Sequence, residues 1–297
     1  MALPASGSLS MSQINAEFGR GNNLNAYRGT AYYLGVNGPY YFSSGAISFS
    51  DFYSTQLSPS TFTVTISGDT ANANLRTIAV NAGWNQNSPL SVVINAGVYV
   101  YASTTGSPAL TINGSFPNGV TLTNNGFIVG MGGAAGAGSD NNIFAGGNGS
   151  NGGLALSVSV GVGITNNGTV GGGGGGGGGG IGGLYNLGGC CGSVYSGGGG
   201  GGGGRTGRTN SSGGAGGSAG AYSGSAGGAG TVSSAGAGGA GGPSTGPFAY
   251  SGGNGGDWGT SGSGDGVSSG GGAGGACTSG NANITWYVTG TRLGALG

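Results

Sequence analysis

A chain of 297 residues is long enough for one large domain or two ordinary ones, yet 83 of its residues are glycine and only 4% are charged. It contains neither lysine nor histidine, and six arginines cancel six acidic residues to a net charge of zero. Those absences exclude histidine-based acid–base or nucleophilic catalysis, lysine Schiff bases, Walker-type phosphate sites and the basic footprint of a nucleic-acid binder.

The acidic residues, Glu17 and the scattered Asp51, Asp69, Asp140, Asp257 and Asp265, give no paired-carboxylate site. Cys190, Cys191 and Cys277 lack the spacing and histidine partners of a metal site and form a poor disulfide framework. They read as small buried thiols. No catalytic residue, metal or cofactor is therefore expected. No apolar run reaches about 18 residues, so membrane insertion is not expected, and MALPASGSLS lacks the features of a signal peptide. The expected site of synthesis is a cytoplasm.

Three zones follow one another. Zone 1–56 is a small mixed module carrying one phrase twice, Ser6-Gly7-Ser8-Leu9-Ser10-Met11-Ser12-Gln13 and Ser44-Gly45-Ala46-Ile47-Ser48-Phe49-Ser50-Asp51. In each copy a serine stands at an N-cap, with Gln13 or Asp51 at the capping-box position three residues later. Met11, Ile14 and Phe18 then share one face of a short helix that stops at Gly19, whereas Phe49, Phe52 and Tyr53 follow the second cap for about one turn. Tyr27, Tyr32, Tyr33, Tyr40, Tyr41 and Phe42 lie between the copies, enough to build a small core or to dock on a partner.

Zone 57–129 is a short-stranded β domain. Phe62, Val64 and Ile66 alternate with threonines, and further strands are predicted at 91–95, 98–102, 109–112, 120–123 and 127–129. Asn-Gly pairs punctuate them as hairpin or corner signals. A small sandwich or a β-helix-like stack fits this pattern.

Zone 130–297 holds most of the glycine, including the unbroken runs 171–180 and 197–204. The phrase Val120-Thr121-Leu122-Thr123-Asn124-Asn125-Gly126 returns at its border as Val162-Gly163-Ile164-Thr165-Asn166-Asn167-Gly168. A flexible linker is one reading of such glycine. Collagen is excluded by the missing Gly-X-Y register and by only eight prolines. An array of polyglycine-II-like helices is the better reading, because the interposed residues are almost all Ala and Ser while apolar plugs recur at intervals. Such helices carry no internal hydrogen bonds, so their backbones must bond one another. Ile284–Val288 is predicted as a closing strand.

Six plug aromatics, Tyr185, Tyr195, Tyr222, Phe248, Tyr250 and Trp258, are receptor-binding candidates if they sit on loops, or plain end plugs if they do not. Gly252–Trp258 is similar to a calcium-binding nonapeptide, but it is a single copy and Gly259 stands where an apolar residue belongs. Whether Asp257 or Asp265 binds an ion stays open.

The opening Ala2-Leu3-Pro4-Ala5-Ser6-Gly7 with its return at 44–51 resembles the start of many tailed-phage virion proteins. Ile284-Thr285-Trp286 followed by Gly290-Thr291-Arg292-Leu293-Gly294 resembles the endings of glycine-rich phage tail proteins. The glycine zone resembles the distal tail-fibre adhesins of T-even-like phages. The resemblance implies a structural virion protein of a tail tip or fibre, with other phage tail proteins and a host cell-surface receptor, polysaccharide or outer-membrane protein, as partners. Met11, Ile14, Phe18, Phe49, Phe52 and Tyr53 become the virion-docking candidates. A homotrimer and a single chain capping a trimer are both compatible with it. The rivals are a purely architectural baseplate or capsid-decoration protein, and an ice-binding protein.

Overall fold

The structure, a computed structural model, describes residues 2–140, 145–186, 193–213, 215–218, 222–242, 249–267 and 269–297. It is mainly β and divides into two compact units. The first comprises 1–64, 77–91 and 115–120, and the second comprises 65–76, 92–114 and 121–297.

In the first unit the duplicated phrase does what its capping chemistry dictates. Helix α1 (Met11–Phe18) starts from a complete capping box, with Gln13 N–H donating to Ser10 Oγ at 3.3 Å and Ser10 N–H to Gln13 Oε1 at 2.8 Å. It ends at Gly19 in the left-handed conformation (φ 66°), whose N–H closes on Asn15 O. The second copy gives a 3-10 turn (Phe49–Phe52), with Ser48 N–H donating to Asp51 Oδ2 at 2.7 Å. Both turns aim apolar residues inward: Leu3, Ile14, Phe18, Tyr27, Phe42 and Phe52 form one core. The rings of Tyr27 and Phe52 meet edge to face at 5.4 Å. Strands β1 (Ala31–Leu34), β2 (Asn37–Tyr41) and β3 (Thr55–Gln56) make a three-stranded sheet in the order β2-β1-β3, antiparallel throughout.

The second unit is a stack of parallel coils. Each of the first four coils gives one strand to each of three sheets. The first is β4 (Phe62–Ile66), β5 (Thr70–Ala71) and β6 (Ala73–Asn74). The second is β7 (Leu90–Ile94), β8 (Tyr99–Tyr101) and β9 (Leu110–Ile112), and the third is β10 (Val120–Asn124), β11 (Phe127–Val129) and β12 (Leu156–Val158). The fourth is β13 (Val162–Asn166), β14 (Thr169–Gly171) and, beyond a hairpin of β15 (Gly183–Asn186) and β16 (Ser193–Ser196), β17 (Thr278–Ser279). The fifth holds β18 (Ile284–Val288) and β19 (Thr291–Leu293), and Leu296 bridges to Thr278. The repeat seen in the sequence is therefore two successive coils in register: Leu122 pairs with Ile164 and Asn124 with Asn166.

The Asn-Gly signals at 125–126 and 167–168 mark corners of this β-helix rather than hairpins. Parallel coils place one corner on the next, and a Cβ on Gly168 would stand 2.0 Å from Gly126 O. Only glycine tolerates that approach.

The glycine zone consists of two outgrowths at one corner. The link between the second and third sheets is Asn72 alone in the first coil, 102–109 in the second, 130–155 in the third and 172–277 in the fourth. Within these outgrowths the described residues trace alternating outbound and returning segments whose backbones bond one another every third residue. Gly173, Gly176 and Gly179 donate to the carbonyls of Gly153, Ser150 and Gly147; Gly174, Gly177 and Gly180 donate to those of Arg205, Gly202 and Gly199; Gly175 and Gly178 donate to those of Thr260 and Ser263. In return, Gly130, Gly133, Gly136 and Ser139 donate to the carbonyls of Gly171, Gly174, Gly177 and Gly180, while Gly253 and Gly256 donate to Gly178 O and Gly175 O, and Gly272 and Gly275 to Gly176 O and Gly173 O. The run 171–180 is thus enclosed by six neighbouring segments, at donor–acceptor distances of 2.8–3.0 Å. A Cβ at Gly176 would lie 2.0 Å from Ala134 O, and one at Gly179 1.9 Å from Ala137 O, which is why the run admits no side chain.

Candidate functional site

The alternation of the segments creates two ends. At the base, the chain joins the β-helix or turns through 206–211, 230–236 and 257–260. At the far end, the described residues that terminate the segments bond to one another. Ser139 N–H donates to Gly180 O and Gly198 N–H to Ser139 O; Gly197 N–H donates to Tyr222 O; Gly242 N–H donates to Gly197 O; Tyr250 N–H donates to Ile181 O. The hairpin β15–β16 rises here, joining the two glycine runs.

Carboxylates organise this end. Asp265 Oδ1 accepts from the N–H of Val267 and of Ser269, both at 2.9 Å, and its Oδ2 accepts from Ile181 N–H at 3.2 Å. Asp140 Oδ1 accepts from Ser218 N–H at 2.5 Å. These carboxylates serve the backbone, and no cluster of three potential metal ligands occurs among the described residues.

The sequence candidates separate by place. Tyr195 in β16 is 40% exposed, Tyr250 is 47% exposed and Tyr222 is half-buried, all at the far end. Val267, which no sequence signal singles out, is 58% exposed there. Tyr185 lies in β15 and pairs with Val194. Phe248 lies outside the described residues. Trp258 is placed apart from the far-end tyrosines: it sits at the base and is 5% exposed. Arg205 stacks on its ring at 3.7 Å, and its indole N–H donates to Thr206 O at 3.1 Å.

A base cluster that sequence reasoning missed surrounds Trp258. Arg205 Nη1 bonds Asp257 Oδ1 at 2.9 Å, and Arg208 Nε meets Asp69 Oδ2 at 2.6 Å while stacking over Tyr99. Tyr99 in turn stacks on Phe127 at 4.4 Å, and Phe127 touches Trp258. Burial pushes the Asp257 carboxyl up, but the hydrogen bonds from Arg205 and the Trp258 N–H prevail and hold it below the ordinary value of 3.8. Asp257 Oδ1 also accepts from Trp258 N–H at 2.7 Å, so the nonapeptide-like stretch spends its carboxylate on protein donors.

In the first unit, Ile14, Phe18 and Phe52 are core residues and Met11 packs against them, so these docking candidates are occupied within the fold. Phe49 is 38% exposed, and Tyr53 donates its hydroxyl proton to Gly7 O. Tyr40 and Tyr41 on β2 are also exposed in this unit.

The described residues thus place a close-packed glycine outgrowth on a β-helix, with exposed aromatics at the outgrowth's free end. Residues 61–193 match the family described as phage tail fibre adhesin Gp38. The chain is also similar to the crystal structure of the gp37–gp38 adhesin tip complex of the bacteriophage S16 long tail fibre, with 25% identity, a TM-score of 0.55, and coverage of 98% of this chain and 99% of that one. Among curated proteins none matches. The matched family and the similar structure are those of tail-fibre adhesins, which supports a structural, receptor-binding role for this chain in a phage tail fibre.

Proposed function

We propose that the chain caps a tail fibre and presents the far end of its glycine outgrowths to a host cell-surface receptor, a polysaccharide or an outer-membrane protein. The observation that carries this reading is the gathering of exposed Tyr195, Tyr250 and Val267 at the end remote from the β-helix. Binding residues concentrate on loops held by a rigid scaffold, and aromatics supply contact area at low entropic cost. The three-residue hydrogen-bond period supports reading the segments as polyglycine-II-like helices, whose three residues per turn point successive N–H groups at three different neighbours. In this reading the fibre protein, by analogy with the S16 complex, meets the first unit through exposed Phe49, Tyr40 and Tyr41.

The test is adsorption of phage carrying Tyr195→Ala and Tyr250→Ala together. The reading requires a loss of host adsorption with an unchanged melting temperature of the purified chain. Wild-type adsorption would favour the architectural rival.

A further inference from the structure

A concavity lies away from the far end of the outgrowths. It is a cleft of about 380 Å³ in the second unit, inside the range of small-molecule sites. Its walls come from three places: Thr104 and Thr105 on the 102–109 link, Met131 and Ser150 at the root of the first outgrowth, and Asn210 and Ser212 in the base turn of the second. The walls are fixed by backbone bonds, Ser150 N–H to Ala134 O at 2.8 Å and Ala135 N–H to Ser212 O at 3.1 Å. Met131 Sδ accepts from Thr206 Oγ1 at 3.3 Å, which holds the thioether in place.

The chemistry of the lining is uniform. No charged residue contributes to it. Among the described residues, the exposed side chains of Thr104, Thr105, Ser150, Asn210 and Ser212 make no hydrogen bond to the protein, so four hydroxyls and one amide line the cleft open to a ligand. Half-buried Met131 adds an apolar, polarizable patch. Hydroxyls and an amide around a small apolar patch match a ligand that offers many neutral hydroxyls and one C–H face. They supply no cation to balance the charge of a phosphate or a carboxylate.

We infer that this cleft is a binding site for a neutral hexopyranose unit, separate from the receptor surface at the far end. The inference does not rest on the proposed function: a site here can hold a free sugar or one residue of a surface glycan whether or not the far-end aromatics contact a receptor.

Saturation-transfer NMR on the full-length protein tests it, with the methyl α-glycosides of glucose, galactose, mannose and rhamnose as probes and glucuronate as the charged control. Saturation transfer to at least one neutral glycoside and none to glucuronate is expected. Asn210→Ala should weaken that signal at least about fivefold, the loss of one or two hydrogen bonds. Thr104→Trp, which fills the opening, should abolish it. Both side chains are exposed, so an unchanged melting temperature verifies the fold. A neutral oligosaccharide of the host surface, run in parallel, separates the two sources: tighter binding than the monosaccharide assigns the site to a glycan, and equal binding to a free sugar. The Tyr195→Ala, Tyr250→Ala protein should bind the glycoside like wild type. No transfer to any neutral glycoside, transfer to glucuronate equal to theirs, or transfer indifferent to both cleft variants overturns the inference.

Discussion

Asn124 Nδ2 donates to Asn166 Oδ1 at 2.8 Å, with both residues fully buried at equivalent positions of successive coils. The chain of bonds continues both ways: Asn124 Oδ1 accepts from Gly126 N–H at 3.1 Å, and Asn166 Nδ2 donates to Thr289 O at 2.8 Å. Each side chain thus satisfies the backbone of a corner that has no water to turn to. Asn166→Ala strips partners from Asn124 and from the Thr289 carbonyl, so a loss of about 2–3 kcal/mol is expected. Chemical denaturation of the purified variant measures it.

Glycine substitutions should divide by location. Gly176→Ala places a Cβ 2.0 Å from Ala134 O, backbone that is itself held by neighbours, and the expected cost is about 3 kcal/mol or more. Gly161→Ala meets nothing within 4 Å and carries no positive φ, so it should be neutral or slightly stabilising. Melting temperatures of the two variants decide the point.

Trp258 and the far-end tyrosines should separate stability from adhesion. Trp258→Ala removes a buried indole, its hydrogen bond and the surface on which Arg205 stacks, with an expected loss of about 3–5 kcal/mol. Tyr195→Ala, at an exposed position, should alter stability by no more than about 0.5 kcal/mol. Thermal unfolding of both, beside adsorption, distinguishes the roles.

Burial pushes the Cys277 thiol up to about 11 from an ordinary 9, while its backbone partner and Arg292 pull only weakly the other way. The unfolded chain therefore loses this proton first as pH rises. Stability contributed by the neutral thiol is complete below pH 9 and falls as the pH climbs toward 11. Tyr27, also raised by burial, adds to the alkaline loss, so the comparison must be made between wild type and Cys277→Ala. The variant should show the shallower decline between pH 9 and 11 in a denaturation series.

Much of this architecture is legible in the residues. The cap phrases at Ser10 and Ser48 act locally, within four residues, so sequence alone locates them. The 120–126 and 162–168 repeat announces stacked coils, because identical coils must pair in register. What sequence does not carry is which segment neighbours which in the array. Polyglycine has no side chain to specify a partner, and the contacts of 171–180 reach from residue 130 to residue 293. For the same reason Trp258 is indistinguishable in sequence from Tyr250: both interrupt glycine, but one marks a base turn and the other the far end. Docking candidates such as Ile14 and Phe18 share a helix face, and a face pattern reports burial without saying whether the cover is the protein's own core or a partner.

Hydrogen exchange resolved to the amides of Gly172–180 and 197–204 tests the glycine array most directly. Every N–H from Gly172 to Gly180 donates to another segment, so these amides should exchange only through global opening, as slowly as those of the β-helix strands. Exchange at the rate of an unstructured peptide would contradict the account.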